Sequence, residues 1–334
     1  MKNILPPRLT NNKLIGLIAP ADPVAGVMPD EDFNRGVNYL KDKGFNVVLG
    51  DSVKLRTEKY TAGTIEMRVN DIHNFTKRDD IGCLMAFWGG YNSNQLLEYL
   101  DYNLIKKNPK IIIGYSDITA LTTAITTKTG LITFSGPGGI SFAKPEPFDY
   151  TWEYFEKTCI TPTEEIIMKP SLKYADDLYF LHEDPSHRIM KENDGILIFK
   201  KGQAEGGVLA GNLQTLLALS GTEYFPCIKN KILFIEEDET CNPPLFNRML
   251  RRCKHLGWFK EISGLVIGRF TEQSQFSLEN PLEETLAEYF DQVKFPVLYN
   301  VDFGHSDPMI TIPNGGYAKI DADNKEIVFK KSVD

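Results

Sequence analysis

The 334-residue chain has few features that would staple it, anchor it in a membrane or suit it to a polyanion. Its five cysteines form no C-x-x-C pair and no regular framework, which excludes a disulfide scaffold and a thiolate zinc site and fits a reducing compartment. Cys83, inside the apolar run "IGCLMAF", reads as a small buried hydrophobe. No run nears the roughly 18 apolar residues that a membrane-spanning helix needs. The opening "MKNILPPRLT" lacks an apolar signal region, so a cytoplasmic protein is expected. Basic excess is missing too: the formal net charge is -8, which argues against a nucleic-acid partner. Groups such as "KKNPK" and "RMLRRCK" read as solvated helix faces. There is no H-E-x-x-H and no aspartate-rich loop, so no metal is expected. "FWGGYNSN" is glycine-rich but lacks the Lys-Ser/Thr of a phosphate loop.

The sequence does contain an alternation of short apolar runs with amphipathic stretches. "KLIGLIAPA", "NVVLG", "GCLMAFWGG", "IIIG" and "LITFSGP" read as strands. Between them, helices are expected over "DEDFNRGVNYLKDKGF", N-capped by Asp30 and stopped by Gly44, and over "TAGTIEMRVNDIHNFTKRDD", "NSNQLLEYLDYNLIKKN" and "SDITALTTAITTKTG". This spacing predicts an α/β fold with a parallel sheet flanked by helices, and places ligands at the C-terminal strand ends. The pattern changes after about residue 145. Residues 170–194 are polar, with interleaved aromatics and two histidines, and have the length of a lid or binding loop. Beyond it a second, mixed α/β domain with a β-rich end after 295 is expected. The expected division is 1–165 for the first domain, 166–200 for the linking loop and 201–334 for the second domain.

One junction stands out. In "IIIGYSDITAL" a buried strand runs directly into a helix, with Ser116 and Asp117 at the turn. A serine there would be exposed at the sheet edge with free helix N-terminal amides beside it. The G-x-S-x-G signature is absent, and the alternative that Ser116 or Asp117 only caps the helix stays open. A nucleophilic serine needs a base, and the base needs an orienting carboxylate. Of the five histidines, His73 and His255 lie on helix patterns and His182 and His187 lie in the long loop. His305, in "NVDFGHSDP", lies on a glycine-flanked turn at a strand end and is the best placed for proton transfer. The acid is sought in "KILFIEEDET", where alternation would send one of Glu236 and Glu237 inward and the other outward; Glu236 is the economical partner. Gly89 and Gly90 are candidates for close backbone approach to a ligand, or simply for a tight turn.

With these residues in view, the chain resembles the LD-carboxypeptidases of the serine peptidase type, and within them the branch that gives self-immunity to microcin C. The matching stretches include "GLIAPADP", "FWGGYNSNQLLEYLDY", "NPKIIIGYSDITAL", "EGGVLAGNLQTLLALSGTEYFP", "KILFIEED" and "FPVLYNVDFGHSDPMITIPNG", and they span nearly the whole length. The resemblance implies a Ser116–Glu236–His305 triad and an oxyanion hole from the amides of Gly90 and Asp117. It implies two domains, the first flavodoxin-like, with the site in the cleft between them, a homodimer, no cofactor and a small-molecule substrate. The expected reaction is hydrolysis of an amide. In one branch the amide is that of a terminal D-amino acid of peptidoglycan; in the other it is the carboxamide joining an aminoacyl or peptidyl group to a nucleotide. The long loop favours the second branch, whose loop aromatics hold the base. Here Tyr174 keeps one ring, and Leu181, with Tyr179 and Phe180 beside it, occupies the place of the other. The substrate-binding candidates are Gly89, Tyr174, Tyr179, Phe180, Asn212 and Arg269. A non-catalytic binding protein that kept the cleft is the alternative from another class.

Overall fold

The computed structural model describes residues 3–57 and 59–334; the side chain of Phe180 lies outside the described residues. The first half builds as the alternation demands. Strands β1 (Leu14–Ile18), β2 (Val47–Leu49), β3 (Ile81–Ala86), β4 (Ile111–Gly114) and β5 (Thr133–Ser135) are all parallel, ordered β5-β4-β3-β1-β2. Ile111, Ile112 and Ile113 are all buried, as a strand covered on both faces requires. Helices Asp30–Asp42, Ile65–Lys77 and Ile118–Thr129 cover the faces. The last ends on Gly130, whose φ of 81° no β-carbon-bearing residue adopts easily.

The second half is a mixed sheet. Its strands are β6 (Glu165–Met168), then, after a small pair β7 (Lys173–Tyr174) and β8 (Lys191–Glu192), β9 (Leu197–Lys200), β10 (Gln203–Asn212), β11 (Lys231–Glu236), β12 (Gly264–Gly268) and β13 (Val297–Val301). The chain closes with β14 (Ile312–Asn314), β15 (Tyr317–Asp321) and β16 (Glu326–Lys330). The order in this eight-stranded sheet is β6-β16-β15-β10-β11-β12-β13-β9. β10, β11, β12 and β13 run parallel, with Asn212 at the end of β10 opposite Glu236 at the end of β11. The fold is therefore α/β, with a parallel-rich first sheet and a mixed second one. β14 leaves the second half and adds antiparallel to β5 at the edge of the first sheet, which periodicity did not foretell.

Several local expectations are corrected. The helix expected over 92–108 is a 3₁₀ turn at Ser93–Leu96 and a separate helix Tyr102–Lys107, because Asp101 caps a new start by accepting from Leu104 N at 2.9 Å. Asp30 is the first helical residue rather than the cap; Pro29 takes that position without a side-chain bond, and Asp30, Glu31 and Asp32 fill the first turn. The long loop, 170–194, is anchored to the body of the fold. Ala175 and Asp307 exchange backbone hydrogen bonds of 2.8 and 2.9 Å, and buried Arg188 bridges Asp177 (2.8 Å) and Asp307 (3.0 Å). Lys144 reaches Asp307 at 2.7 Å.

Candidate active site

β4 ends at Gly114, and the helix begins at Ile118. Only three residues turn the chain, and Ser116 takes φ 62°, a left-handed conformation costly for a residue with a side chain. The strain holds the hydroxyl on the outside of the turn, half-buried. Asp117 does not cap its own helix; it braces the neighbouring loop. Its Oδ2 accepts from Ser93 N at 2.7 Å, and its carbonyl accepts from Ser93 Oγ at 2.7 Å. That ties the segment after Gly89 and Gly90 against the serine turn. A β-carbon on Gly89 would lie 3.1 Å from Ser116 Cβ and 3.3 Å from Asp117 N. One on Gly90, at φ 124°, would lie 2.2 Å from the Asp22 carboxyl. Among the described residues the Gly90 and Asp117 N–H groups make no hydrogen bond.

Glu236 ends β11, and His305 follows the turn after β13. His305 Nδ1 lies 2.6 Å from Glu236 Oε2. Two glycines make room for the carboxylate: a β-carbon on Gly304 (φ 102°) would lie 2.7 Å from Glu236 Oε2, and one on Gly268 3.0 Å from Glu236 Cβ. Burial works against a charged ring, but the Glu236 carboxylate and its hydrogen bond outweigh it, with Asp238 and Glu239 adding to the field. The His305 pKa is pushed up to about 9. The Tyr115 ring stacks edge-on against His305 with centroids 5.2 Å apart, so the residue before Ser116 touches the imidazole. Among the described residues no hydrogen bond joins Ser116 to His305. Such contacts often tighten only when substrate arrives.

Glu237 is buried like Glu236, against the alternation expected of a strand, because the strand stops at 236. Its carboxyl accepts from Gln214 N (2.7 Å) and Asn212 Nδ2 (3.3 Å). Burial, then the Glu236 charge, raises its pKa to about 8.

Two cavities flank the serine turn. The smaller, about 90 Å³, is lined by Ser116, Asp117, Gly90 and Asn212 among others. The larger, about 750 Å³, has His305, Tyr115 and Trp88 on one side and Tyr179, Arg188 and Asp177 of the long loop on the other. Trp88 was missed in the sequence; its only signal was an aromatic placed directly before Gly89-Gly90. Tyr174 and Arg269 line neither cavity. They stack on each other at 4.4 Å, and Arg269 pairs with Asp302 at 2.6 Å beneath the loop. His182 lies 3.7 Å from Asp177 and His187 3.3 Å from Glu146, both away from the serine turn's contacts. The described residues hold no cluster of side chains that would bind a metal ion.

The sequence matches two family models, the LD-carboxypeptidase N-terminal domain over residues 15–136 and the C-terminal domain over 205–320. The chain belongs to the LD-carboxypeptidase family. It is 37% identical to the microcin C7 self-immunity protein MccF of Escherichia coli over 318 residues, covering 94% of this chain and 92% of that one. Among solved structures, it superposes on an MccF-like protein from Bacillus anthracis with a TM-score of 0.91 at 34% identity, covering 98% and 99% of the two chains. It matches MccF in complex with aspartyl sulfamoyl adenosine with a TM-score of 0.92 at 35% identity, covering 99% and 100%. This LD-carboxypeptidase family member is thus a carboxypeptidase-like hydrolase of the serine peptidase type, of the MccF-like branch. No helix of its described residues is long and apolar enough to cross a membrane.

Proposed function

We propose that the protein hydrolyses an amide through Ser116, His305 and Glu236, and that its substrate is an aminoacyl or peptidyl group joined through a carboxamide to a nucleotide-like moiety. The observation that carries this reading is the 2.6 Å Glu236–His305 bond beside a strained serine turn. His305 takes the Ser116 proton as the hydroxyl oxygen attacks the carbonyl carbon, then gives it to the departing nitrogen. Glu236 holds the ring by its Nδ1–H and stabilises the imidazolium. The free Gly90 and Asp117 amides suit the oxyanion, each such donor being worth roughly 3 kcal/mol. Water then attacks the acyl-serine with His305 as base again, releasing the acid. The 750 Å³ cavity, with Trp88, Tyr115 and Tyr179, has the size and rings to hold a nucleoside. The role fits self-immunity by detoxification in the cytoplasm, acting as a homodimer.

A second reading is trimming of a peptidoglycan peptide at its terminal D-amino acid. It is favoured by Leu181, which stands where the nucleotide-cleaving branch has a ring and is largely exposed. Incubating the protein separately with an aminoacyl-sulfamoyl adenosine and with a muropeptide decides between them. Turnover of the first is expected, and Ser116→Ala should lose at least about a thousandfold. Turnover of the muropeptide alone would replace the first reading with the second. Full activity in Ser116→Ala would reject both.

A further inference from the structure

Behind the loop that carries Gly90 lies a fully buried arginine that no step of the proposed hydrolysis uses. Arg68, on the helix Ile65–Lys77, is 2% exposed. A buried guanidinium is costly unless a carboxylate pairs with it or hydrogen bonds saturate it. Among the described residues no carboxylate lies within ion-pair distance of Arg68, and its hydrogen bonds all end on neutral oxygens. Nη1 donates to the carbonyls of Pro20 (2.7 Å) and Asn92 (3.3 Å), Nη2 to Gln95 Oε1 (2.8 Å) and Nε to the Thr64 carbonyl (3.4 Å). Burial pulls its pKa down, and Asp117, Tyr60 and Asp22 oppose that through space.

Those acceptors lie on the two chain segments that hold Gly90. Pro20 belongs to the segment after β1, which runs on to Asp22. Asn92 and Gln95 belong to the segment after β3, which begins with Gly89 and Gly90. Asp22 N donates to the Gly89 carbonyl at 3.1 Å, and the Asp22 carboxyl packs so closely on Gly90 that a β-carbon there would lie 2.2 Å away. From the other side Ser93 N is held by Asp117 Oδ2 at 2.7 Å. The Gly90 peptide is thus clamped before and after, with Arg68 joining the two segments from beneath. Glycine at φ 124° has no side chain to hold its peptide plane, so the clamp must do it. A lysine ammonium in place of the planar fork could not hold acceptors on both segments in the same way.

We infer that Arg68 is a positioning residue for the oxyanion hole: its guanidinium ties the segments after β1 and β3 together and so fixes the direction of the Gly90 N–H. The inference rests on the Ser116–His305 reading. Arg68 itself acts only through the backbone.

The test is the rate at which Ser116 reacts with a fluorophosphonate and with its P=S analogue, followed by intact mass. In both reactions the serine oxygen bonds to phosphorus and fluoride leaves, while the P=O or P=S atom takes the oxyanion position. Sulfur accepts hydrogen bonds weakly, so the P=O probe gains more from the Gly90 N–H. Arg68→Ala should slow the P=O probe by about a hundredfold and the P=S probe far less, lowering the ratio of the two rates by about tenfold or more. Methylguanidine added to Arg68→Ala should raise that ratio again. Arg68→Lys keeps the charge but loses the fork, and should lower the ratio in the same direction even where Arg68→Ala fails to fold. Asp71→Asn is the control for general destabilisation. Asp71 is buried on the same helix, but its carboxyl accepts from Asp51 N and from Ser52. Its variant should lower Tm and leave the ratio in place. A ratio unmoved in Arg68→Lys, or moved equally in Asp71→Asn, would overturn the inference. No adduct on Ser116 in the wild type would instead remove the hydrolytic reading, and this inference with it.

Discussion

Under the proposed mechanism, the raised pKa of His305 has a measurable cost for catalysis. A base must lose its proton before it can accept one, and the Glu236 carboxylate pushes the His305 pKa up to about 9. The rising limb of kcat/KM against pH should accordingly climb through neutrality and level off only near 9. Glu236→Gln removes the charge that raises the pKa and leaves the burial that lowers it. The limb should then move to neutral pH or below, while kcat falls by about 10⁴-fold as the carboxamide no longer enforces the productive tautomer or stabilises the imidazolium. A limb that stays in place would separate Glu236 from the base. At this scale the sequence was informative: Ser116, Glu236 and His305 each lie at a strand end beside a glycine or a turn. Glu237 was not legible, because period-2 alternation holds only while the strand continues, and β11 stops one residue before it.

Among the elements, the site depends on glycines that let two turns come close. Gly304 is the case that bears on the Glu236–His305 pair, with φ 102° and no room for a β-carbon beside Glu236. Gly304→Ala combines backbone strain of about 1–3 kcal/mol with displacement of the Glu236 carboxylate. It should lower kcat by at least about tenfold while the folded far-UV circular dichroism spectrum is retained; unchanged kcat would mean the Glu236–His305 contact is not needed. Arg188 sets the stance of the long loop. Arg188→Ala leaves Asp177 and Asp307 buried without their shared cation, and should destabilise the fold by about 3–5 kcal/mol in urea unfolding. The loop's length and polarity were visible in the sequence. Its anchorage was not, since Arg188 and Asp307 are 119 residues apart. The split of the expected 92–108 helix had a readable signal in Asp101, an N-cap residue in mid-pattern.

For the whole molecule, β14 ties the two sheets together and two titratable groups of the site tie stability to pH. β14 comes from the second half yet closes the edge of the first sheet on β5, so neither half is complete without the other. Sequence periodicity gives strands, not their neighbours, and a three-residue strand bridging two sheets leaves no local trace. The pH dependence has a definite sign. Both His305, raised to about 9, and Glu237, raised to about 8, bind a proton more tightly folded than unfolded. Their contributions are therefore present at low pH: Glu237's fades as pH rises from about 4.5 to 8, and His305's as it rises from about 6.5 to 9. Thermal unfolding should show Tm falling between pH 6 and 9, and Glu237→Gln should flatten the part below 8. A Tm that rises over that window would contradict both shifts. The central claim, that Ser116 is a nucleophile driven by His305, is tested most directly by intact-mass measurement after treatment with a fluorophosphonate. The account predicts one adduct, mapped to Ser116 and lost in His305→Ala; an unmodified protein, or an adduct on another residue with Ser116 free, would contradict it.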